Sequence, residues 1–263
     1  MRHAARRARQ RGLTLLEIMV ALFIALFLLG GLLMMEQNVR GAQQSQTGLT
    51  QLQDQERLAM SLLTDVVQTA GYFPNPALYS ASATYFPLFT ASGSNNSIQL
   101  QPGQMIAGLT VSNVVTTPAG TSETLPSDTI AVRFMTSGTD NLINCTGNVS
   151  AGATTFVNVF SVNPATQQLQ CSSDGSSTPS PIVNGVLQLS ALYGVSTSPA
   201  TPSNVDTYLT ASQISAAGLW NSILTVKVTV VFWNPLYAQP GAPQTVSISR
   251  VIDLQNQTGI NTT

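Results

Sequence analysis

The sequence predicts an α+β protein: one long N-terminal helix, membrane-spanning in its first half, packed on a mainly antiparallel β-sheet head. Three observations lead there. Leu13 to Met35 is a run of 23 residues interrupted by only two polar side chains, Thr14 and Glu17. Beyond it, apolar residues continue at steps of three and four as far as Ala70. From Ser97 onward the period changes to two, with Gly, Pro, Ser and Asn clusters between the apolar runs.

The apolar run divides the chain. As a helix it covers about 35 Å, enough to cross a bilayer core, so residues 13–35 are expected to span a membrane. Five arginines precede it (Arg2, Arg6, Arg7, Arg9 and Arg11) with no acid among them, which holds the N-terminus on the cytoplasmic side. No small-residue cleavage site follows the run, where Glu36-Gln37-Asn38-Val39-Arg40 stands, so the helix is expected to be retained. Within it, Gly30-Gly31 reads either as a place of close helix packing or as a point where the helix unwinds.

Glu17 is the anomaly in this segment. A carboxylate in a spanning helix costs roughly 2.5–3.5 kcal/mol near the bilayer centre and usually has a partner. One reading lets it snorkel to the interface, favoured by the helix N-terminus. The other has the chain cut between Gly12 and Leu13, placing a new ammonium four residues away on Leu13, so that Glu17 of one subunit neutralises the terminus of another.

The motif Gly12-Leu13-Thr14-Leu15-Leu16-Glu17, between a basic leader and a long apolar helix, resembles the signal of type IV prepilins and pseudopilins. The resemblance implies that residues 1–12 are a leader removed by prepilin peptidase after Gly12. It further implies that Leu13 is N-methylated and that Glu17 guides subunit assembly. It implies a type IV pilin-like fold, with the helix over 13–71 and the head over 72–263. Leu13 departs mildly from the Phe or Met common at that position.

Taken in order, the helix extends from Leu13 to about Ala70, roughly 85–90 Å. Leu49, Leu52, Glu56, Ala59, Leu63, Val66 and Ala70 form its buried face, and Gly71 ends it ahead of Pro74 and Pro76. The aromatic stretch Tyr72–Phe89 is expected to be a loop that buries its rings over the sheet. Strands are expected at Ser97–Gln101, Ile106–Val115, Asp128–Thr136, Thr154–Val162, Gln167–Cys171, Ile182–Val195, Ser222–Trp233 and Gln244–Leu254. A short helix over Asn204–Gly218, capped by Ser203 or Asn204, precedes the last two. In Ser222–Trp233, Leu224, Val226, Val228, Val230 and Phe232 alternate with polar residues, which indicates one buried and one solvated face. Asn256–Thr263 reads as a frayed tail.

Three later stretches resemble PilW-type minor pilins: Thr64–Tyr72, with Asp65-Val66 and Ala70-Gly71-Tyr72; Ser127-Asp128-Thr129-Ile130-Ala131-Val132-Arg133-Phe134; and the ending from Trp220 through Arg250. Phe73-Pro74-Asn75 stands where that group often has a Cys. The resemblance implies a minor pilin that primes type IV pilus assembly at or near the tip. It implies other minor pilins, the major pilin, prepilin peptidase and the inner-membrane assembly platform as partners. Neighbouring readings are a minor pseudopilin of a type II secretion system and a pilus-tip adhesin.

Composition narrows the chemistry. With the leader gone, five basic residues face 11 acidic ones, and beyond Tyr72 the only basic residues are Arg133, Lys227 and Arg250. Nucleic acid is therefore not an expected partner, whereas membrane lipid is, through the apolar run of residues 13–35. The single His, His3, lies in the leader, so the exported part has no Ser-His-Asp constellation and no metal site is expected. Asp140-Asn141 and Asp174-Gly175 read as turns. We expect no enzyme and no cofactor. Cys145 and Cys171, exported to an oxidising compartment, are expected to pair, with two unpaired thiols as the alternative.

Overall fold

In the computed structural model, residues 14–75, 86–92, 97–117, 120–174, 176, 178–198 and 204–255 are described. The chain divides into two units, residues 1–49 and 50–263.

The first unit is the beginning of one α-helix, α1 (Leu15–Gln68). Its large apolar side chains from Leu15 to Met35 are covered by none of the described residues; Phe23 is 79% and Phe27 84% exposed. Such a surface is matched by hydrocarbon, not water. The apolar run ends where Arg40 pairs with Glu36 at 2.5 Å, one turn apart and well exposed. The helix runs unbroken through Gly30-Gly31, and a side chain at either glycine would meet no atom within 4 Å among the described residues.

In the second unit α1 continues to Gln68 and buries Leu52, Ala59, Met60, Leu63, Val66 and Val67, most of the stripe its spacing requires, whereas Leu49, expected on that face, is exposed. Glu56 on the same stripe stays half-buried. The helix closes three residues before Gly71. That glycine takes a left-handed φ of 74° and donates its N–H to the Arg133 carbonyl, joining the helix end to the sheet.

The strands are β1 (Phe89–Ser92), β2 (Ser97–Leu100), β3 (Ile106–Thr116), β4 (Ser122–Thr136), β5 (Thr154–Asn163), β6 (Gln168–Ser173), β7 (Ser180–Asn184), β8 (Val186–Val195), β9 (Thr207–Leu209), β10 (Ile223–Trp233) and β11 (Thr245–Asp253). A short helix, α2 (Ala211–Ala217), lies between β9 and β10. Pairing is antiparallel throughout. One sheet runs β3-β4-β5-β6-β7, a second runs β11-β10-β8-β9, and β1-β2 is a separate hairpin. Helix residues, Ile130, Val132, Phe134 and Phe160 of the first sheet, and Leu189, Ala191, Val226, Val228 and Val230 of the second share one core. On the far face of the first sheet, Ile98 and Leu100 of the hairpin cover Ala107, Ala131, Val157 and Val159.

Four boundaries differ from expectation, each for a local reason. The run Ile182–Val195 is two strands, because Gly185 turns the chain with a φ of 74° and sends β7 and β8 to different sheets. The helix expected over Asn204–Gly218 is shorter. Thr207–Leu209 pairs with β8, and α2 is capped by Thr210 in a capping box with Gln213, not by Asn204; Ser203 lies outside the described residues. Strand β4 starts at Ser122, through Pro126, because Pro126 lies before β5 pairing begins at Ile130 and the ladder to β3 bonds through the odd-numbered residues beside it. The aromatic loop buries Phe73 and Phe86, edge to face at 6.0 Å, while Phe89 enters β1; Tyr79 and Tyr85 lie outside the described residues, as does the tail Asn256–Thr263.

Candidate functional site

Glu17 sits in the first turn of α1, two residues after the helix opens at Leu15. Its Oε2 accepts the backbone N–H of Thr14 at 3.0 Å and the Thr14 hydroxyl at 3.1 Å. The Glu17 N–H donates back to Thr14 Oγ1 at 3.3 Å. This is a reciprocal capping box: two helix-end donors that would otherwise lack partners are satisfied, and the carboxylate is held at the positive end of the helix. The spacing Thr14-x-x-Glu17 carries that signature in the sequence itself. Oε1 has no partner among the described residues. Gly12 and Leu13 lie outside them.

In the head, the Ser127–Arg133 segment of β4 joins the two sheets. The N–H groups of Leu189 and Ala191 point from β8 away from β10 and would be stranded. Ser127 Oγ accepts the first at 3.2 Å and Asp128 Oδ2 the second at 2.7 Å. Asp128 Oδ1 also accepts the Thr110 hydroxyl at 2.5 Å. Two side chains thus do the work of a neighbouring strand. Replacing Asp128 by alanine is expected to cost on the order of 2–4 kcal/mol, because it leaves two donors unpaired, one of them buried. A denaturant melt of the full chain in detergent measures it. Close by, the fully buried Tyr193 lies beneath Gly108 and stacks edge-on against Trp220 at 5.0 Å. Burial, and then the Asp128 charge, push its phenol pKa up.

Cys145 and Cys171 form a disulfide, with Cα atoms 6.3 Å apart and a sequence separation of 26. It ties the turn around Asn144 to β6. The Cys145 N–H is further held by the buried Asn158 side chain at 2.8 Å. Changing both cysteines to serine is expected to lower stability by about 2–4 kcal/mol in a thermal melt under oxidising conditions.

Asp140 and Asp174 lie in turns, as their neighbours in sequence suggest. Asp140 accepts the Ser137 N–H at 2.8 Å and the Thr136 hydroxyl. Asp174, with a left-handed φ of 54°, accepts the Val157 N–H at 2.9 Å. Burial raises the Asp174 pKa, with the Val157 bond opposing it. An acid raised by the fold is favoured while protonated and loses that advantage as pH climbs through its folded pKa. Asn at 174 keeps the bond and tolerates the left-handed backbone. Asp174→Asn is therefore expected to raise the melting temperature slightly at neutral pH, the gain vanishing below the ordinary carboxylate range. No cluster of three or more metal-ligating side chains occurs among the described residues.

Comparison with known families places both ends of this arrangement. The prokaryotic N-terminal methylation motif matches residues 7–33, a span that holds Gly12, Leu13 and Glu17. The family described as type IV pilus-assembly protein W matches residues 148–253, from just before β5 to the last residue of β11. The chain is a type IV pilin-like minor pilin. It is membrane-anchored through a single helix and belongs with other components of the type IV pilus. Among curated proteins, none matches the chain. The PilW match takes in the ending from Trp220 through Arg250 on which the sequence resemblance partly rested. The Ser127–Arg133 strand of the minor pilin lies outside it.

Proposed function

We propose that this minor pilin primes type IV pilus assembly and is incorporated at or near the fibre tip. Prepilin peptidase cuts it after Gly12 and Leu13 is N-methylated. Before assembly it stands in the inner membrane by residues 13–35, with the β-rich head from residue 72 in the periplasm. Glu17 then neutralises the Leu13 ammonium of an adjoining minor or major pilin as the helix leaves the lipid. The observation that carries this reading is the methylation motif on a capped helix start joined to a PilW-type head. The geometry is compatible with it: Thr14 occupies one carboxylate oxygen of Glu17 and leaves the other for a neighbour. We propose no enzymatic role.

Two measurements test it. Mass spectrometry of the membrane-resident protein is expected to find methylated Leu13 at its start; a form retaining Met1 to Arg11 in piliated cells rejects the processing step. Deletion of the gene is expected to abolish surface pili and twitching while sparing protein secretion. Loss of secretion with normal pili would instead make the protein a pseudopilin.

A further inference from the structure

We propose that the outer edge of β11 is a docking rail, on which an extended segment of another pilus subunit adds as a fifth strand to the four-stranded sheet. The inference rests on the proposed role in the fibre and names the surface that role would use.

Hydrogen bonding fixes which groups are available. Leu254 donates to the Leu224 carbonyl and Asn234 to the Gln244 carbonyl, both at 2.9 Å, and the β10–β11 register is unshifted between them. In an antiparallel pair, hydrogen-bonded and non-bonded positions alternate, so the even-numbered residues of β11 bond to β10. The N–H and C=O groups of Thr245, Ser247, Ser249, Val251 and Asp253 therefore point away from the sheet. No described strand or side chain takes them, and all five residues are exposed.

The other edges of the two large sheets are guarded. On β3, the outward carbonyls of Ile106 and Thr116 accept the side-chain amides of Gln104 at 2.8 Å and Gln167 at 2.6 Å. Strand β7 contains Pro181 and a register shift. Strand β9 has three residues, and the part of β8 beyond it is plugged by Ser127 and Asp128. Strand β11 is long, regular, and free of proline, lysine and bulges, the devices that normally keep an edge from pairing; β3 is as regular, but of the two only β3 has outward carbonyls capped by side chains among the described residues. Its one cation, Arg250, turns inward to the Thr64 hydroxyl at 3.0 Å.

The occupant follows from this chemistry. Alternating donors and acceptors on a straight edge select an extended backbone. The side chains at these positions are the small hydroxyls of Thr245, Ser247 and Ser249, then Val251 and Asp253, and none is bulky enough to block a strand's approach. A family that works with other pilus components supplies such a chain from a sister subunit.

Proline at an edge-facing position deletes an outward N–H and no bond to β10. In full-length protein expressed in piliated cells, Ser247→Pro and Ser249→Pro are expected to keep membrane level, methylated Leu13 and melting temperature. Photo-cross-linking from position 251 to other pilus subunits should fall by roughly an order of magnitude, the scale of one or two lost strand hydrogen bonds. Ile248→Pro, which breaks the ladder to β10, should instead destabilise the head. If either edge proline lowers stability, lysine at the same position tests the edge with the backbone intact. Undiminished cross-linking in the edge variants, or cross-links only between copies of this chain, overturns the proposal. The processing and deletion results would stand in either case.

Discussion

Replacing Arg133 by methionine is expected to leave the head unable to hold its native fold at physiological temperature. Arg133 is 1% exposed and has no carboxylate partner among the described residues. Its guanidinium donates to three backbone carbonyls, those of Gln101, Gln104 and Pro87, and lies over the Phe86 ring at 5.1 Å. Its own N–H and C=O bind Met105 and Gly71, each at 2.9 Å. One side chain therefore holds the segments before and after the β1-β2 hairpin onto the sheet where the long helix ends. Burial lowers its pKa to about 10, which still leaves it protonated at neutral pH. Methionine fills similar space but strands three carbonyls, a loss on the order of 3–5 kcal/mol against a total stability of roughly 5–15 kcal/mol. Lysine should rescue only part, since an ammonium cannot reproduce a planar fork of donors. Denaturant melts of the two variants in detergent decide this; wild-type stability in Arg133→Met would show that the carbonyls find other partners.

Glu17→Ala is expected to leave a stable, processed protein that fails to enter pili, lowering piliation to near the level of a deletion strain. Capping must be separated from charge. Alanine removes both, at a capping cost of about 1 kcal/mol. Glutamine can still accept the Thr14 N–H but brings no charge to meet a neighbour's ammonium. If pairing between subunits is the function, Glu17→Gln should fail as alanine does. If capping alone matters, glutamine should restore pili, and the pairing role is lost. Counting pili by electron microscopy, with the N-terminal mass checked in each strain, distinguishes the two.

Much of this architecture was legible because it is periodic. The three-and-four spacing marks Leu52, Ala59, Leu63 and Val66 as the buried stripe of α1, and the two-residue alternation marks Val226, Val228 and Val230 as the inner face of β10. What escaped depends on backbone sign or on distant partners. Gly185 splits the stretch Ile182–Val195 by taking a positive φ, a break that the pair Asn184-Gly185 signals but the flanking apolar residues mask. Thr207–Leu209 became a strand because β8 offered an edge, although its neighbours favour a helix. At the candidate site, the glutamate was legible from its cost in lipid. Thr14 could have been read from its three-residue spacing to Glu17. The plugging role of Ser127 and Asp128 could not, since it requires β8, about 60 residues later, to be already in place.

The position of β10 has a bearing on delivery. It is the second-to-last strand in the chain, yet it lies between β8 and β11 and supplies much of the central apolar layer. A head still missing those residues has an open sheet and nowhere to seat the helix. Were such a polypeptide threaded through a translocation channel behind its anchor, closure of the sheet would wait until β10 had emerged, and the earlier strands would stay pliable until then.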